Sequence, residues 1–324
     1  MATTNSYVAI LDVGHGNSTV LHDQNKSIVV DCGPGTTLLE FVLQEGITQI
    51  DYIFLSHADQ DHIEGLVGLI SSKICKIGCI YVNADSTKKS ALWNDLLFTT
   101  TRDSLPIHVG LSHITGPFSC GNIVLEVVGP SQFLAGKSAG SIDNVGNRIN
   151  SNSLSASFKI LWAGSVIAYL AGDIDHVSLN DINTFHYDIM APLLVFPHHG
   201  GNAGVGNVVK FTEDLCDLVK ATTVIFSIGR DKHSNPRQDV IKAVRTKIKD
   251  VRIACTQMSK FCSMNLSISP VHLHEFHSRG RMKNHCCSGT FVINLDATGI
   301  TYSPDPSSHD AFISAAAPTP LCKN

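Results

Sequence analysis

Short apolar runs separated by polar turns recur along this chain from its first residues onward. Runs of four to eight residues rich in β-branched side chains are typical of buried strands, whereas a longer segment with one apolar face is typical of a helix. In the first third, strands are predicted at 7–11, 18–21, 28–30, 50–55 and 77–82. Helices are predicted at 37–44 and 63–70, so strand and helix signals alternate.

The same alternation returns after a less regular middle. Residues 83–121 show no clear period, and 136–152 is rich in Gly, Ser and Asn and is predicted to be a loop. The later predictions are strands at 123–128, 154–161, 166–171, 189–196, 224–228, 251–254 and 291–295, and a helix at 239–249. This pattern predicts one α/β domain over residues 1–302. Within it lies a Cys/His-rich insertion at about 256–290, and a flexible tail follows at 303–324.

The composition fits a folded protein. The chain has 324 residues, of which 43% are hydrophobic and 16% charged, which excludes disorder for most of it. A net charge of -4 excludes a global basic field, so any contact with nucleic acid must be local. Apolar runs such as 190–196 fall far short of the roughly 18 residues of a membrane span, and no signal peptide opens the chain. We therefore expect a cytoplasmic protein without membrane contact, and cysteines that are thiols or metal ligands.

The strongest chemical signal follows the strand predicted at 50–55. His57, Asp59, Asp61 and His62 form the pattern H-x-D-x-D-H between that strand and the next helix. A strand end and a helix start can direct such side chains toward one point. Imidazole and carboxylate are the usual ligands of zinc, manganese and iron, so the pattern predicts a metal site.

Similar side chains follow other predicted strands. Asp173 ends the strand at 166–171, and His198 and His199 stand before two glycines that allow close approach of the backbone. Asp12 and Asp31 end early strands. We interpret these two as groups that hold loops or ligands in place.

As an ordered set, these residues resemble the metallo-β-lactamase fold family. More narrowly, they are similar to the metallohydrolase domain of ComEC-type DNA-uptake proteins. Residues 11–16 resemble that branch's L-D-V-G-Q-G with His15 in place of Gln, and 150–154 resemble its N-x-x-S-L. Residues 196–200 (F-P-H-H-G) and 227–229 (S-I-G) also match. The resemblance spans residues 7 to about 256 and implies a four-layered αββα sandwich with a two-metal centre at the edge of its sheets.

The resemblance also implies a role for each residue. His57 and Asp59 would hold one metal ion, and Asp61, His62 and His199 would hold the second, with Asp173 bridging both. Asp61 and His198 are the implied catalytic residues, and His198 would face the substrate as a phosphate-oxygen partner or proton donor. Asn150 and Ser153 would support ligands or contact substrate. The family often has His-Pro where this chain has Asn235-Pro236, and His233 is a candidate substitute.

Two divalent ions, zinc or manganese, suit hydrolysis. Ions about 3.5–4 Å apart share a water and lower its pKa toward about 7. Three Asp ligands would leave a formal charge of about +1, which favours an anionic phosphodiester over a neutral ester. The leading hypothesis is therefore a phosphodiesterase or nuclease acting on nucleic acid or a nucleotide. Asp59 points the same way, because acyl-hydrolysing relatives usually carry His there.

Two other functions remain open from the sequence. The same centre could hydrolyse a lactam, lactone or thioester. A non-catalytic domain could instead bind nucleic acid or a partner protein, with metals in a structural role. The sequence fixes neither the native metal nor the oligomeric state.

A second cluster lies in the insertion. Its cysteines are Cys255, Cys262, Cys286 and Cys287, and its histidines are His272, His274, His277 and His285. One interpretation is a structural zinc site using Cys255, Cys262 and one of the vicinal pair. The alternative is buried thiols beside a His-rich surface loop.

Basic residues in and near the insertion allow two interpretations. Arg279, Arg281 and Lys283 could form a nucleic-acid track beside the metals. The basic face of the helix at 239–249 is interpreted as solvated surface.

Overall fold

The computed structural model describes residues 6–85, 87–204, 206–230, 232–266 and 276–323, and within them two mixed sheets stack face to face. The first sheet contains β1 (Ser6–Ile10), β2 (Thr19–Asp23), β3 (Lys26–Val30), β4 (Gln49–Leu55), β5 (Lys76–Val82), β6 (Ile107–Val109), β14 (Phe291–Asp296) and β15 (Gly299–Ser303). The second contains β7 (Phe118–Cys120), β8 (Ile123–Gly129), β9 (Ser157–Trp162), β10 (Ser165–Leu170), β11 (Leu193–Val195), β12 (Thr223–Phe226) and β13 (Arg252–Cys255). The strand orders are β15-β14-β1-β2-β3-β4-β5-β6 and β13-β12-β11-β10-β9-β8-β7.

Helices cover the outer faces of both sheets. They are α1 (Thr37–Gln44), α2 (Gln60–Ser72), α3 (Ala91–Arg102), α4 (Gln132–Lys137), α5 (His176–Thr184), α6 (Val208–Val219), α7 (Gln238–Lys247) and α8 (Pro306–Ala316). The buried side chains of α1, α2 and α3 share a core with the first sheet, and those of α5, α6, α7 and α8 share one with the second.

Alternation along the strands creates the layers. In β1, Val8 and Ile10 point into the layer between the sheets, where Phe158 of β9 meets them. Ala9, one residue out of phase, points outward to the layer that contains Phe41 of α1. A strand buried on both faces needs apolar residues at every position, which is why β1 has no polar alternation. The predicted four-layered αββα sandwich of the metallo-β-lactamase fold is confirmed.

Strand direction brings the chemically important loops to one edge. β3 and β4 are parallel, and β1 runs the same way because it is antiparallel to β2, which is antiparallel to β3. In the other sheet β10, β11, β12 and β13 are parallel. The loops that follow β1, β3 and β4 therefore meet the loops that follow β10, β11 and β12.

Several elements differ from the sequence predictions. Residues 83–121 contain α3, whose inward face includes Thr99 and Thr100 beside Trp93 and Leu96, so its stripe is only half apolar. Helices α5 and α6 were also not predicted from the sequence. The strand predicted at 189–196 is reduced to β11 at Leu193–Val195.

The prediction of a flexible tail at 303–324 is wrong. Asp305 caps α8 by accepting hydrogen bonds from the Ser307 and Ser308 amides. Phe312 and Ile313 are buried in the core beside the second sheet. Burial of these two large apolar side chains offsets part of the entropy lost on ordering the segment.

The described part of the insertion packs onto the domain. The Met258 amide donates to the His285 carbonyl at 2.7 Å, and the Cys287 amide donates to the Thr256 carbonyl at 3.1 Å. Residues 267–275, which include His272 and His274, lie outside the described residues. In the parts of the chain that are described, no helix has the length and apolar character needed to cross a bilayer.

Candidate metal centre

The loop after β4 directs its four ligand-type side chains by changing from strand to helix. Asp59 is the extended N-cap of α2, with φ -76° and ψ 147°, and His57 precedes it in the loop. Asp61 and His62 lie in the first helical turn. The carboxylate of Asp61 is also favourable there because it faces the positive end of the helix dipole.

The first ligand group consists of His57, His62 and Asp173, and all three side chains are buried. One ligand atom from each lies within 4.8 Å of the others. Nε2 of His62 is 3.6 Å from Oδ2 of Asp173. Within the described part of the chain, Nε2 of His57 and Nε2 of His62 have no hydrogen-bond partner. A buried nitrogen without a partner is costly, and two of them beside a carboxylate fit a cation.

Asp31 and Ser56 orient His62. Nδ1 of His62 donates to Oδ2 of Asp31 at 2.7 Å, and the Ser56 hydroxyl donates to the same oxygen at 2.9 Å. The Ser56 amide donates to Oδ1 of Asp31 at 2.7 Å. With Nδ1 engaged in this way, Nε2 is the atom left to bind a metal. Asp31, predicted to hold a loop or ligand in place, thus contacts His62 directly.

The second ligand group consists of His15, Asp61 and His199. Oδ2 of Asp61 lies 3.2 Å from Nε2 of His199 and 3.5 Å from Nε2 of His15. Nδ1 of His199 donates to the Ser227 carbonyl at 2.8 Å, which fixes the ring. The His62 and His199 ring centroids are 5.7 Å apart, so the two groups adjoin.

The protonation states suit metal binding at most of these positions. Burial alone raises the pKa of Asp61, but the hydrogen bond with His199 and the charge of His62 hold it below its usual value. Burial, reinforced by His62, lowers the pKa of His57 to about 4. Burial and the nearby His199 lower the pKa of His15 to about 3. Ionised carboxylate and neutral imidazole are the forms that bind metals.

His62 behaves differently without a metal. Burial lowers its pKa, but the charges of Asp31 and Asp173 outweigh burial and hold the pKa well above its usual value. A metal ligand must be neutral at the binding nitrogen, so cation binding at this group displaces a proton from His62.

The grouping differs from the predicted ligand sets in several respects. Asp59 is in neither group, and Asp173, which was expected to bridge both ions, belongs to the first group. His62 was expected to join Asp61 and His199, but its Nε2 faces His57 and Asp173 because Asp31 holds the opposite side of the ring. His15 takes the third place beside Asp61 and His199.

Asp59 remains near the first group but has a second partner. Its Oδ1 lies 3.8 Å from Nε2 of His57 and forms an ion pair with Nζ of Lys88. Burial raises the pKa of Asp59, yet His57 and then Lys88 bring it below its usual value. The carboxylate is therefore ionised and within reach of the centre.

His198 does not occupy the substrate-facing position predicted for it. Its ring is buried, with Nε2 3.0 Å from the Ile174 carbonyl and Nδ1 3.5 Å from Oδ2 of Asp173. Its amide donates to Oδ1 of Asp173 at 2.8 Å. His198 is thus a positioning residue for Asp173, because its ring is directed into the loop that carries that carboxylate.

The backbone at His198 and His199 is strained. Their φ values are 52° and 54°, in the left-handed region that non-glycine residues avoid. Such a conformation costs on the order of 1–3 kcal/mol per residue and persists where surrounding contacts enforce it. The bond from the His198 amide to Asp173 is one such contact, and the turn directs the His199 ring toward Asp61.

The remaining predicted residues surround the two groups. Nδ2 of Asn150 and the Ser153 hydroxyl donate to Asp175, which caps α5 just after Asp173. Buried Asp12 accepts bonds from the Gly14 and Gly280 amides at 3.2 and 2.9 Å. These three residues hold loops.

His233, the candidate substitute for the family histidine, lies at the rim of the second group. Its ring centroid is 4.5 Å from that of His15.

Of the four cysteines proposed for a structural zinc, Cys255, Cys262 and Cys287 pack in the core beside the second sheet, and Cys286 is not part of that cluster. The Cys286 thiol donates to Oδ2 of Asp12, whereas the Cys287 thiol lies 3.4 Å from Nε2 of His309. Across the described ranges, no cysteine belongs to a group of three ligand atoms close enough for one ion. Vicinal side chains point apart along extended backbone, which separates Cys286 from Cys287.

Sequence reasoning missed three residues at the centre: His15, Ser56 and Lys88. His15 had a signal, since it replaces the Gln of a motif at a strand end. Ser56 immediately precedes the H-x-D-x-D-H pattern, where a hydroxyl can bond a ligand. Lys88 lies in a segment without period and had no signal in the sequence.

Gly16 permits the close approach of the first loop to Asp61. It has φ +149°, and a Cβ there would lie 2.3 Å from the Asp61 carbonyl oxygen and 2.5 Å from Cδ of Pro34. We expect Gly16→Ala to lower the free energy of unfolding by about 2 kcal/mol and to weaken metal binding, because Asp61 must move. Urea unfolding and metal titration measure the two effects.

Gly68→Ala is the matched control. Gly68 lies within α2, and nothing lies within 4 Å of the added Cβ. Alanine is expected to stabilise this helix by up to about 1 kcal/mol. Equal stability of Gly16→Ala and the native chain would contradict the packing described at Asp61.

Known proteins were compared with the chain. Residues 11–211 match the family described as the metallo-beta-lactamase superfamily. Ribonuclease Z of Clostridium perfringens is 41% identical over 56 residues, which are 17% of this chain and 18% of that protein. Ribonuclease Z of Alkaliphilus oremlandii is 36% identical over 58 residues, 18% of each. The matches thus span less than a fifth of the length of these relatives.

Two solved structures are similar to the fold. The metallo-beta-lactamase fold protein YhfI from Bacillus subtilis is 13% identical with a TM-score of 0.48, covering 78% of this chain and 98% of that one. Unliganded yeast PDE1 is 14% identical with a TM-score of 0.48, covering 78% of this chain and 98% of its own.

Proposed function

The chain belongs to the metallo-beta-lactamase superfamily, and from that premise we propose that it is a metal-dependent phosphodiesterase that acts on nucleic acid or nucleotides. One observation carries the proposal: two adjoining His/Asp groups, with buried imidazole nitrogens that have no partner among the described residues. The ribonuclease Z matches support a phosphodiester substrate. The motif order from 11–16 to 227–229 supports the ComEC-type branch.

The charge of the centre supports a phosphodiester over a neutral ester. Burial raises the pKa values of Asp59, Asp61 and Asp173, but the neighbouring histidines lower them by more. All three carboxyl groups therefore have pKa values below the usual range. Two divalent ions, zinc or manganese, would leave a formal charge of about +1. Lys88 adds a further positive charge beside Asp59. An anionic substrate is therefore attracted to the centre.

The residues of the centre would serve either as metal ligands or as supports that orient those ligands. His57, His62 and Asp173 would hold one ion, and His15, Asp61 and His199 the other, with Asp59 in reach of the first. Bound divalent ions supply Lewis acidity and an activated water. Asp31 and Ser56 keep Nε2 of His62 directed inward, and Ser227 does the same for His199. His198 keeps Asp173 in place.

The test uses purified protein loaded with zinc or manganese. We expect elemental analysis to find about two ions per chain, and we expect hydrolysis of bis-p-nitrophenyl phosphate that a chelator abolishes and added metal restores. A panel of single-stranded DNA, duplex DNA, RNA and a cyclic nucleotide then identifies the substrate class. The monoester p-nitrophenyl phosphate is the control for contaminating phosphatase.

Two outcomes would replace the proposal. Turnover of nitrocefin or a lactone without diester hydrolysis would make the protein an acyl hydrolase. Tight binding of nucleic acid, with no hydrolysis of any substrate by metal-loaded protein, would make it a binding domain.

A further inference from the structure

A cationic cavity of about 310 Å³ opens beside the second ligand group. His15 forms part of its wall and also belongs to the group with Asp61 and His199. The volume lies at the lower end of the range for small-ligand sites, about 300–1,000 Å³. A ligand in this cavity would therefore contact the candidate metal centre.

The cavity collects positive charge from two separate segments. Lys232 comes from the loop after β12, and Arg279 and Lys283 come from the segment before β14. Among the described residues of the lining, Glu64 is the acidic one. Because the whole chain carries a net charge of -4, this concentration of cations is local and faces the site.

Arg279 is held in place before any ligand arrives. Its Nη1 donates to the Val13 carbonyl at 3.0 Å and to the Pro34 carbonyl at 2.8 Å. The Arg279 side chain lies across Gly14 and Gly35, where an added Cβ would come within 3.2 Å of Cδ and within 3.0 Å of Nη1, respectively. A preorganised guanidinium loses less entropy when it binds an oxyanion.

A buried network fixes the segment that supplies two of the cations. Asp12 accepts bonds from the Gly280 amide and from Nε2 of Gln257, both at 2.9 Å. The Arg279 amide donates to the Asp12 carbonyl at 2.9 Å. These bonds join the strand end that precedes His15 to the segment that bears Arg279 and Lys283, so the cations have a fixed position relative to the centre.

We propose that this cavity binds a second phosphoryl group of the substrate, adjacent to the phosphodiester that is cleaved. The inference rests on the proposed function and specifies its substrate: a molecule with at least two phosphoryl groups. In a nucleic acid the second group is a neighbouring backbone phosphate or a terminal phosphate. Both present the oxygens that Lys and Arg recognise.

The experiment compares three short deoxynucleotide substrates with bis-p-nitrophenyl phosphate, using metal-loaded protein. The first is a dinucleotide with one phosphodiester and no terminal phosphate. The second is the same dinucleotide with an added terminal phosphate. The third is a trinucleotide with two phosphodiesters and no terminal phosphate. The variant is Lys232→Gln combined with Lys283→Gln, since both side chains are exposed. Arg279 is left unchanged because its bonds to Val13 and Pro34 link it to folding.

The expected result is a loss of about tenfold in kcat/KM on the substrates with two phosphoryl groups. Hydrolysis of the dinucleotide and of bis-p-nitrophenyl phosphate should stay within about twofold, since neither has a second phosphate. The substrate that shows the larger loss, the dinucleotide with a terminal phosphate or the trinucleotide, identifies whether the cavity binds a terminal phosphate or a backbone phosphate. The charge-matched control is Lys242→Gln with Lys249→Gln on the exposed surface around α7, outside the cavity.

A binding measurement separates this inference from the proposed function. Fluorescence anisotropy of a labelled oligonucleotide with a terminal phosphate is recorded against salt concentration. The cavity variant should flatten the slope of log K against log salt by about one unit, and the control variant should not. An unchanged slope and an unchanged kcat/KM in the cavity variant would overturn the proposed phosphate binding in the cavity, even if the protein hydrolyses phosphodiesters. A flattened slope in the cavity variant, with no hydrolysis of any substrate by the native protein, would overturn the proposed function and support phosphate binding in the cavity.

Discussion

Asp61→Ala is expected to lower hydrolysis of bis-p-nitrophenyl phosphate by on the order of 10³-fold or more. Asp61 is the carboxylate of the second ligand group, with Oδ2 3.2 Å from His199 and 3.5 Å from His15. Without it, two imidazoles remain to hold an ion, and a site of that kind binds weakly. Loss of one of two catalytic ions removes several kcal/mol of transition-state stabilisation, and each 1.36 kcal/mol is about a tenfold change in rate.

The measurement pairs kinetics with metal content. Elemental analysis of the variant should show about one ion per chain lost, alongside the loss of turnover. Asp214→Ala is the matched control, because Asp214 is a half-exposed aspartate of α6 that forms an ion pair with Lys210, away from both ligand groups. Robust turnover by Asp61→Ala would refute the assignment of the second group.

Asp31→Ala is expected to destabilise the fold by about 3–5 kcal/mol and to weaken metal binding by about 10–100-fold. Asp31 is buried and accepts three hydrogen bonds, from Nδ1 of His62 and from the amide and hydroxyl of Ser56. Removing one partner of a buried charge pair leaves the other without compensation, which carries a penalty of this size. The His62 ring also loses the bond that directs Nε2 inward, and supporting groups of this kind typically set metal affinity by that factor.

Asp31→Asn separates the two effects. The amide oxygen can still accept from the Ser56 amide, so the loop should stay folded, whereas the carboxylate that holds His62 is lost. We expect a smaller loss of stability than in Asp31→Ala, because the Ser56 amide keeps its acceptor although His62 loses its countercharge, and a clear reduction of metal affinity. Thermal unfolding in chelator and zinc titration measure the two effects. Native-like stability and affinity in Asp31→Ala would show that His62 is oriented by other contacts.

The sequence was most informative where local chemistry and local structure coincide. The pattern from His57 to His62 lies between a β-branched strand and an amphipathic helix, and that context alone predicted a metal site. The alternation of strands and helices predicted one α/β domain, and the resemblance to the metallo-β-lactamase fold family implied its four layers. The missed helix α3 shows the limit: its inward face includes Thr99 and Thr100, whose burial depends on the neighbouring helix and sheet.

The tail and the cysteines show a different limit. Residues 306–316 have a composition typical of a flexible terminus, yet Phe312 and Ile313 are buried in the core beside the second sheet. The sequence suggested a zinc ion held by Cys255, Cys262 and one of the vicinal cysteines without indicating which one, and the structure shows that Cys286 contacts Asp12 whereas Cys287 contacts His309. Which side a thiol faces depends on the partner it meets, and spacing does not encode that partner.

By itself the sequence determined that strands and helices alternate in one α/β domain and that His57, Asp59, Asp61 and His62 share one strand-end loop, and its family resemblance implied the four layers. Tertiary structure alone decided which of them lie together, because Asp31 holds His62 beside Asp173 and Asp61 lies beside His199 and His15. It also decided that His198 supports a ligand and that Arg279 and Lys283 meet Lys232 beside the centre. These outcomes depend on distances between segments up to 268 residues apart, such as Asp12 and Gly280, and such distances follow from strand direction and packing.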